Sequence, residues 1–179
     1  MTALGLLILR LVVGLILAGH GAQKLFGWWG GPGMNGWTQS VQKLRIRPAR
    51  PWAWVAALAE FGGGILLALG LLSPLGNLAI AGSMLVAIAT VHRPRGFWVS
   101  KGGYEFNLAL LAAVAALALT GPGAYSLDQA FGVHLPEPAS VLIAPLRAHV
   151  PPLTGAAPWP RSAVGSVLRP RATGRPSPA

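Results

Sequence analysis

Three polar side chains crowd the end of an apolar run in LAGHGAQKLFGWWGGPG, Leu17 to Gly33: His20, Gln23 and Lys24. An imidazole and an ammonium at that depth can donate hydrogen bonds to a carbonyl, and a carboxylate brought opposite them can neutralise the ammonium or pass a proton. Candidate carboxylates are few. Glu60 lies near the entry of a second apolar run and Glu105 near the entry of the last, while His92 closes the third and Arg10 interrupts the first.

Other chemistries fit these residues less well. His20, Glu60, His92 and Glu105 offer nitrogen and oxygen ligands, but no HExxH or ExxH pair sets two of them at helical spacing, so no metal site is expected. A b-type haem held by His20 and His92 stays open as an alternative. The chain has no cysteine, which excludes disulfide scaffolds, thiolate metal sites and electron transfer through a dithiol of its own. Any redox role must use a bound cofactor or a partner.

The elements that carry these groups read as membrane helices. Of 179 residues, 53% are hydrophobic and only 10% charged, and the mean hydropathy is +0.56. A soluble domain carries charge at about a quarter of its positions, so most of this surface faces lipid. Four apolar segments follow: Leu4 to Phe26, Trp54 to Leu72, Leu75 to Val91 and Glu105 to Thr120. A spanning helix needs about 20 residues, and the last two segments are short. The first segment is not read as a secretory signal, because no positive charge precedes it, Arg10 breaks it and no clear cleavage site follows.

Basic residues give an orientation. Lys24, Lys43, Arg45, Arg47 and Arg50 follow the first span, Arg93, Arg95 and Lys101 follow the third, and Ser73 to Gly76 between the second and third carries none. Basic connections stay cytoplasmic, which puts the first and third connections on the cytoplasmic side and both termini outside. The formal net charge of +10 also suggests nucleic acid. Its bases, however, flank spans or sit among prolines with no nucleic-acid fold between them, so lipid headgroups are the expected partner and nucleic acid is not.

In the first connection, WWGGPG reads as an interfacial turn. In MNGWTQSVQKLRI that follows, Trp37, Val41 and Leu44 share a face, which describes a short amphipathic helix lying on the membrane, with an ordinary loop as the alternative. From Pro136 prolines recur too often for a helix or strand to run far. Residues 1–135 are therefore read as a membrane domain and 136–179 as a basic, mostly disordered tail.

In an antiparallel bundle His20, Lys24, Glu60, His92 and Glu105 all fall at one membrane face. At 100° per residue Lys24 lies about 40° and His20 about 80° around the axis from Arg10, which sits about 15 Å deeper than His20. A stripe into the bundle interior follows, with Glu60 as the partner of Arg10, Lys24 or His92. Gly14, Ala18 and Gly21 on the first helix and Gly62, Gly63 and Gly64 beside Glu60 allow close backbones or leave room for a flat ligand. Plainer roles stand beside these: Lys24 snorkelling, His92 at a helix C-terminus, Glu105 at a helix N-terminus.

The pieces LRLVVGLILAGHGAQKLFGW, AEFGGGILLALGLLSPLG, VHRPRGFW, KGGYEFNLALL and GPGAYSLD occur together and in order. The sequence so resembles the DoxX family of small bacterial integral membrane proteins, over about Leu7 to Asp128. The resemblance implies an all-α, multi-pass, four-helix bundle in the bacterial cytoplasmic membrane, with family-like Arg10, His20, Gly21, Lys24, Glu60, Gly63, Gly70, His92 and Glu105. It also implies a quinone-linked role, since relatives include the membrane subunit of a thiosulfate:quinone oxidoreductase.

The leading expectation is a membrane subunit that binds quinone, or docks a soluble redox enzyme, at its cytoplasmic face. Arg10, His20, Lys24 and Gly63 would hold the quinone, and Glu60, Glu105 and His92 would handle protons. Two other classes are a non-catalytic scaffold for stress-defence or thiol-metabolism enzymes, and a small-solute or proton pathway along Arg10, His20 and Glu60. A soluble redox protein or further copies of this chain are the expected protein partners. The orientation is directly testable: reporters fused near Arg47 and Arg95 should both read cytoplasmic, and a periplasmic signal at both would invert it.

Overall fold

The computed structural model describes residues 1–133, so the tail expected over 136–179 lies outside the described residues. Those described are helical, without strands. Helix α1 spans Thr2–Phe26, α2 Gly33–Lys43, α3 Ala49–Leu69, α4 Ser73–Ala87, α5 Glu105–Thr120 and α6 Leu127–Phe131. A π-helical turn, Ile88–His92, and a 3-10 turn, Arg93–Arg95, extend α4.

Three of these are long and apolar enough to cross a membrane: α1 with 25 residues, α3 with 21, and α4 with its extension, 23 residues from Ser73 to Arg95. The α4 rod outruns the expected Leu75 to Val91 because the two irregular turns carry it past His92. Apolar α5 has 16 residues, just short of the spanning range of about 17 to 25. It nonetheless shares the bundle core. Val13 and Leu17 of α1, Leu67 of α3, Ile80 and Met84 of α4, and Leu110, Val114 and Leu117 of α5 are buried together.

Large apolar side chains also point outward on every long helix: Ile8, Leu15, Val55, Leu58, Leu78, Leu85, Leu108. In water such a surface would aggregate; against lipid it costs nothing, and the helices must then associate through packing rather than through hydrophobic exclusion. Close approach supplies that packing between α1 and α3. A Cβ added to Gly14 would fall 2.6 Å from the Gly64 carbonyl oxygen, and one on Gly64 2.5 Å from the Ala18 nitrogen, while one on Gly21 would overlap the Phe61 backbone. Gly63, expected beside a ligand, instead faces α4, where a Cβ would press on Ala79 and Ile80 at 3.2 Å. Its part is helix contact.

At the end where α3 turns into α4, a polar clasp ties the bundle. Arg10, 2% exposed, donates to the carbonyls of Leu69 and Tyr125, two groups a helix end and a turn leave unpaired. Asp128 accepts from the Leu72 and Ser73 amides at 2.8 and 2.9 Å and from the Ser73 hydroxyl at 2.6 Å, capping α4. Gly70, at φ 62, fits between them because any Cβ there would overlap the Arg10 guanidinium.

The short amphipathic helix exists as α2. Val41 is buried against Ala49 and Ala53 of α3, with Trp37, Met34 and Ile46 around them, while Gln39, Gln42 and Lys43 face outward. The Trp37 indole N–H donates to the Ala53 carbonyl at 3.1 Å, which pins α2 across the end of α3.

The glycine crossing gives a sharp comparison. Gly14→Leu should lower stability by at least about 2 kcal/mol through overpacking, whereas Gly19→Leu, whose Cβ meets nothing within 4 Å, should leave it nearly unchanged. Unfolding of the detergent-solubilised protein measures both, and equal losses would remove the crossing as the source of bundle stability.

Candidate functional site

Glu60 lies two and a half turns before the end of α3, only 3% exposed. A lone carboxylate there would be costly, and three elements meet it. Lys24 from the last turn of α1 places Nζ 2.5 Å from both carboxylate oxygens. Ser83 of α4 donates its hydroxyl to Oε1 at 2.9 Å. Trp37 of α2 lays its ring 4.4 Å from the Lys24 ammonium, a cation–π contact that covers the ion pair on the side facing the membrane surface. An ammonium has three donors. Two go to Glu60, which leaves the third for the ring face or for a ligand.

Beside this pair is a cavity of about 300 Å³ lined by His20, Lys24, Glu60, His92, Phe106 and Asn107, among others. Its size is at the lower end of the range of ligand pockets, about 300 to 1,000 Å³. His92 is held by the Gly102 carbonyl, to which Nδ1–H donates at 2.7 Å. That bond fixes the neutral tautomer and leaves Nε2 as a proton acceptor. His92 ends the π-helical turn; such turns shift the side chains beyond them around the helix and recur at functional sites. Asn107, 7% exposed, gives its amide only a thioether, the Met84 sulfur at 3.4 Å, a weak acceptor for a strong donor. His20 sits exposed at the rim, its ring 6.3 Å from that of Phe106.

Four expected residues therefore share one cavity: His20, Lys24, Glu60 and His92. Three do not line it. Arg10 does face α3, as its angle implied, but fourteen residues separate it from Lys24, about 21 Å along the axis, and it is committed to the clasp at the other end of the bundle. The proposed stripe from Arg10 to Glu60 is interrupted. Glu105 turns back to accept the Val99 amide at 2.9 Å, which folds the connection before α5. Gly63 packs on α4, as described above.

The sequence reading missed Trp37, Ser83, Asn107 and Asp128 as polar actors. Asn107 had a readable signal, an amide entering an apolar helix. Asp128 did too, as one of only four acidic residues in the chain and two positions after Ser126, which caps α6 by accepting the Gln129 amide at 3.1 Å. Ser83 and Trp37 had none, since their roles depend on which helices become neighbours.

The sequence model of the DoxX family matches residues 5–93. A protein of Bacillus subtilis (strain 168) named "Putative oxidoreductase CatD" is 32% identical over 125 residues, 70% of this chain and 85% of that protein. "Inner membrane protein YqjF" of Escherichia coli (strain K12) is 30% identical over 125 residues, 70% of this chain and 90% of that protein. No solved structure matches significantly.

The ion pair makes its own test. Lys24→Met leaves a buried carboxylate without its cation and should cost about 3 kcal/mol, whereas the double variant Lys24→Met with Glu60→Gln should recover most of that loss. Unfolding in detergent gives the coupling, and strictly additive losses would mean that the pair is not a unit.

Proposed function

The chain belongs to the DoxX family, and we propose that it is the membrane subunit of a redox system, one that receives a quinone in the cavity beside Lys24 and Glu60 and docks a soluble oxidoreductase at the adjoining membrane face. The observation that carries this reading is the buried Lys24–Glu60 pair walling a cavity that also holds His92 and the weakly bonded amide of Asn107. The name of the Bacillus relative, which speaks of an oxidoreductase, is in keeping with it.

These residues fit a quinone's chemistry. A quinone bound here would take up two electrons and two protons to become a quinol, the electrons coming from the reduced soluble partner. The Asn107 amide is a donor with only a sulfur to bond, so a carbonyl oxygen is a better acceptor for it. Lys24 has a third N–H to direct at an oxygen. Glu60 and the Nε2 position of His92 can accept protons at the cavity wall and pass them on to the ring oxygens, and Ser83 keeps Glu60 oriented. The low-dielectric surroundings strengthen each of these contacts.

The docking half rests on charge. Lys43, Arg45, Arg47, Arg50, Arg93, Arg95 and Lys101 all lie exposed at the end of the bundle where the cavity sits. Among the described residues the acids at that end, Glu60 and Glu105, are both engaged. An unopposed basic surface attracts an acidic partner and speeds encounter. We place this face in the cytoplasm, where basic connections remain.

Glu60→Gln and Glu105→Gln separate this reading from a purely structural one. Glu60→Gln leaves Lys24 facing a neutral amide and should weaken quinone binding to the purified protein at least about tenfold, a shift of roughly 1.4 kcal/mol. Glu105→Gln should bind quinone as the native chain does. Unchanged binding in Glu60→Gln would remove the cavity as the quinone site and favour the scaffold.

A further inference from the structure

A second cavity, of about 360 Å³, lies on the other side of the Lys24–Glu60 pair, between α2, α3 and α4. The two share Lys24, Trp37, Glu60, Ala87 and Val91 as walls. We infer that this second cavity is a groove for the apolar chain of the ligand, so that the substrate class is a quinone carrying an isoprenoid tail, entering sideways from the bilayer, rather than a small water-soluble quinone. The inference rests on the quinone reading of the first cavity.

The two cavities differ in what their polar groups have left to offer. In the groove, Lys24 and Glu60 bond each other and Ser83 bonds Glu60. Thr90 donates to the Val86 carbonyl at 2.7 Å, and Trp37 to that of Ala53. Apart from the half-exposed Trp52 indole, every polar side chain of the lining already has a partner. The groove can seat a chain but has little with which to recognise a polar head. The first cavity is the reverse, with His92 Nε2 and the Asn107 amide underused.

Geometry supplies the route. Val55, Leu78 and Val86 line the groove and are 55%, 61% and 55% exposed, which on these helices is the lipid side. A ligand dissolved in the bilayer therefore reaches the groove without crossing water. Ala87 and Val91, common to both cavities, form an apolar sill over which a chain can pass while the head stays beside Lys24. Gly82 widens the groove: a Cβ there meets nothing within 4 Å.

That open position allows a clean test in lipid nanodiscs. The probes are menadione, which has no tail, and a naphthoquinone with a short isoprenoid tail bearing a diazirine on its first isoprene unit. With the native chain, photolysis should place adducts on the α3 and α4 peptides that contain Val55 and Leu78 to Val86, and excess menadione should suppress them. Gly82→Phe should weaken binding of the tailed probe about tenfold by overpacking the groove. Menadione binding to that variant should be unchanged, which also reports that it is folded. Gly62→Phe, likewise open at Cβ but outside both cavities, should bind both probes normally. Adducts spread over other lipid-facing surfaces, or unchanged binding of the tailed probe by Gly82→Phe, with menadione still bound, would overturn the groove while leaving the quinone site standing. Failure of the native chain to bind either probe would remove the quinone site and the groove together.

Discussion

A carboxylate buried in an apolar helix has to be neutralised, and most of this architecture can be traced to how Glu60 is met. Its partner Lys24 is on α1, and an ammonium reaches a buried carboxylate with both oxygens at 2.5 Å only if the two helices run nearly in contact. The pairs Gly14 with Gly64 and Gly21 with Phe61 permit that approach. The glycines and the ion pair thus depend on each other. Without the glycines the charges would be held apart in a medium that penalises both, and without the charges the crossing would lose its polar anchor at one end.

Polar groups at the two ends of the bundle differ in what they bond, and neither end is complete, since the Arg10 Nε is buried without a partner. At the α3–α4 turn, Arg10 and Asp128 meet backbone groups that helix ends leave unpaired, and the result closes the fold. At the opposite end bonding is incomplete: an amide faces a thioether, an imidazole keeps a nitrogen, an ammonium keeps a proton. Incomplete satisfaction of buried polar groups is costly, and at this end, unlike at Arg10, the underused groups line a cavity.

The helices were legible because uncharged apolar runs of spanning length seldom occur outside a bilayer, and α2 because Trp37 and Val41 share a face. The gathering of His20, Lys24, Glu60 and His92 was legible from topology alone, since alternate helices bring those ends together. What failed was assignment across helices. The angle of Arg10 around α1 told which way it points but not what waits there, and the carbonyl of Leu69 is invisible to any reading of side-chain types. Glu105 has a similar account: its side chain bonds backward to Val99, a local choice that competes with any reach into the bundle. The π-helical turn that ends at His92 leaves no mark in residue types either.

Trp37 shows why such a site needs more than its transmembrane helices. Lys24 lies in the last turn of α1, where a long amphipathic side chain would ordinarily extend to water. The connection after α1 returns across the bundle end as α2 and sets an indole over the ammonium, held by its N–H on the Ala53 carbonyl. With the ring in place, the ammonium gains an electrostatic contact and its side chain keeps only 18% of its surface exposed, so Glu60 becomes its better partner. The same indole walls both cavities. The interfacial helix therefore determines whether Lys24 is a surface charge or part of a buried site, and it does so from a segment whose own composition suggests only a helix resting on a membrane.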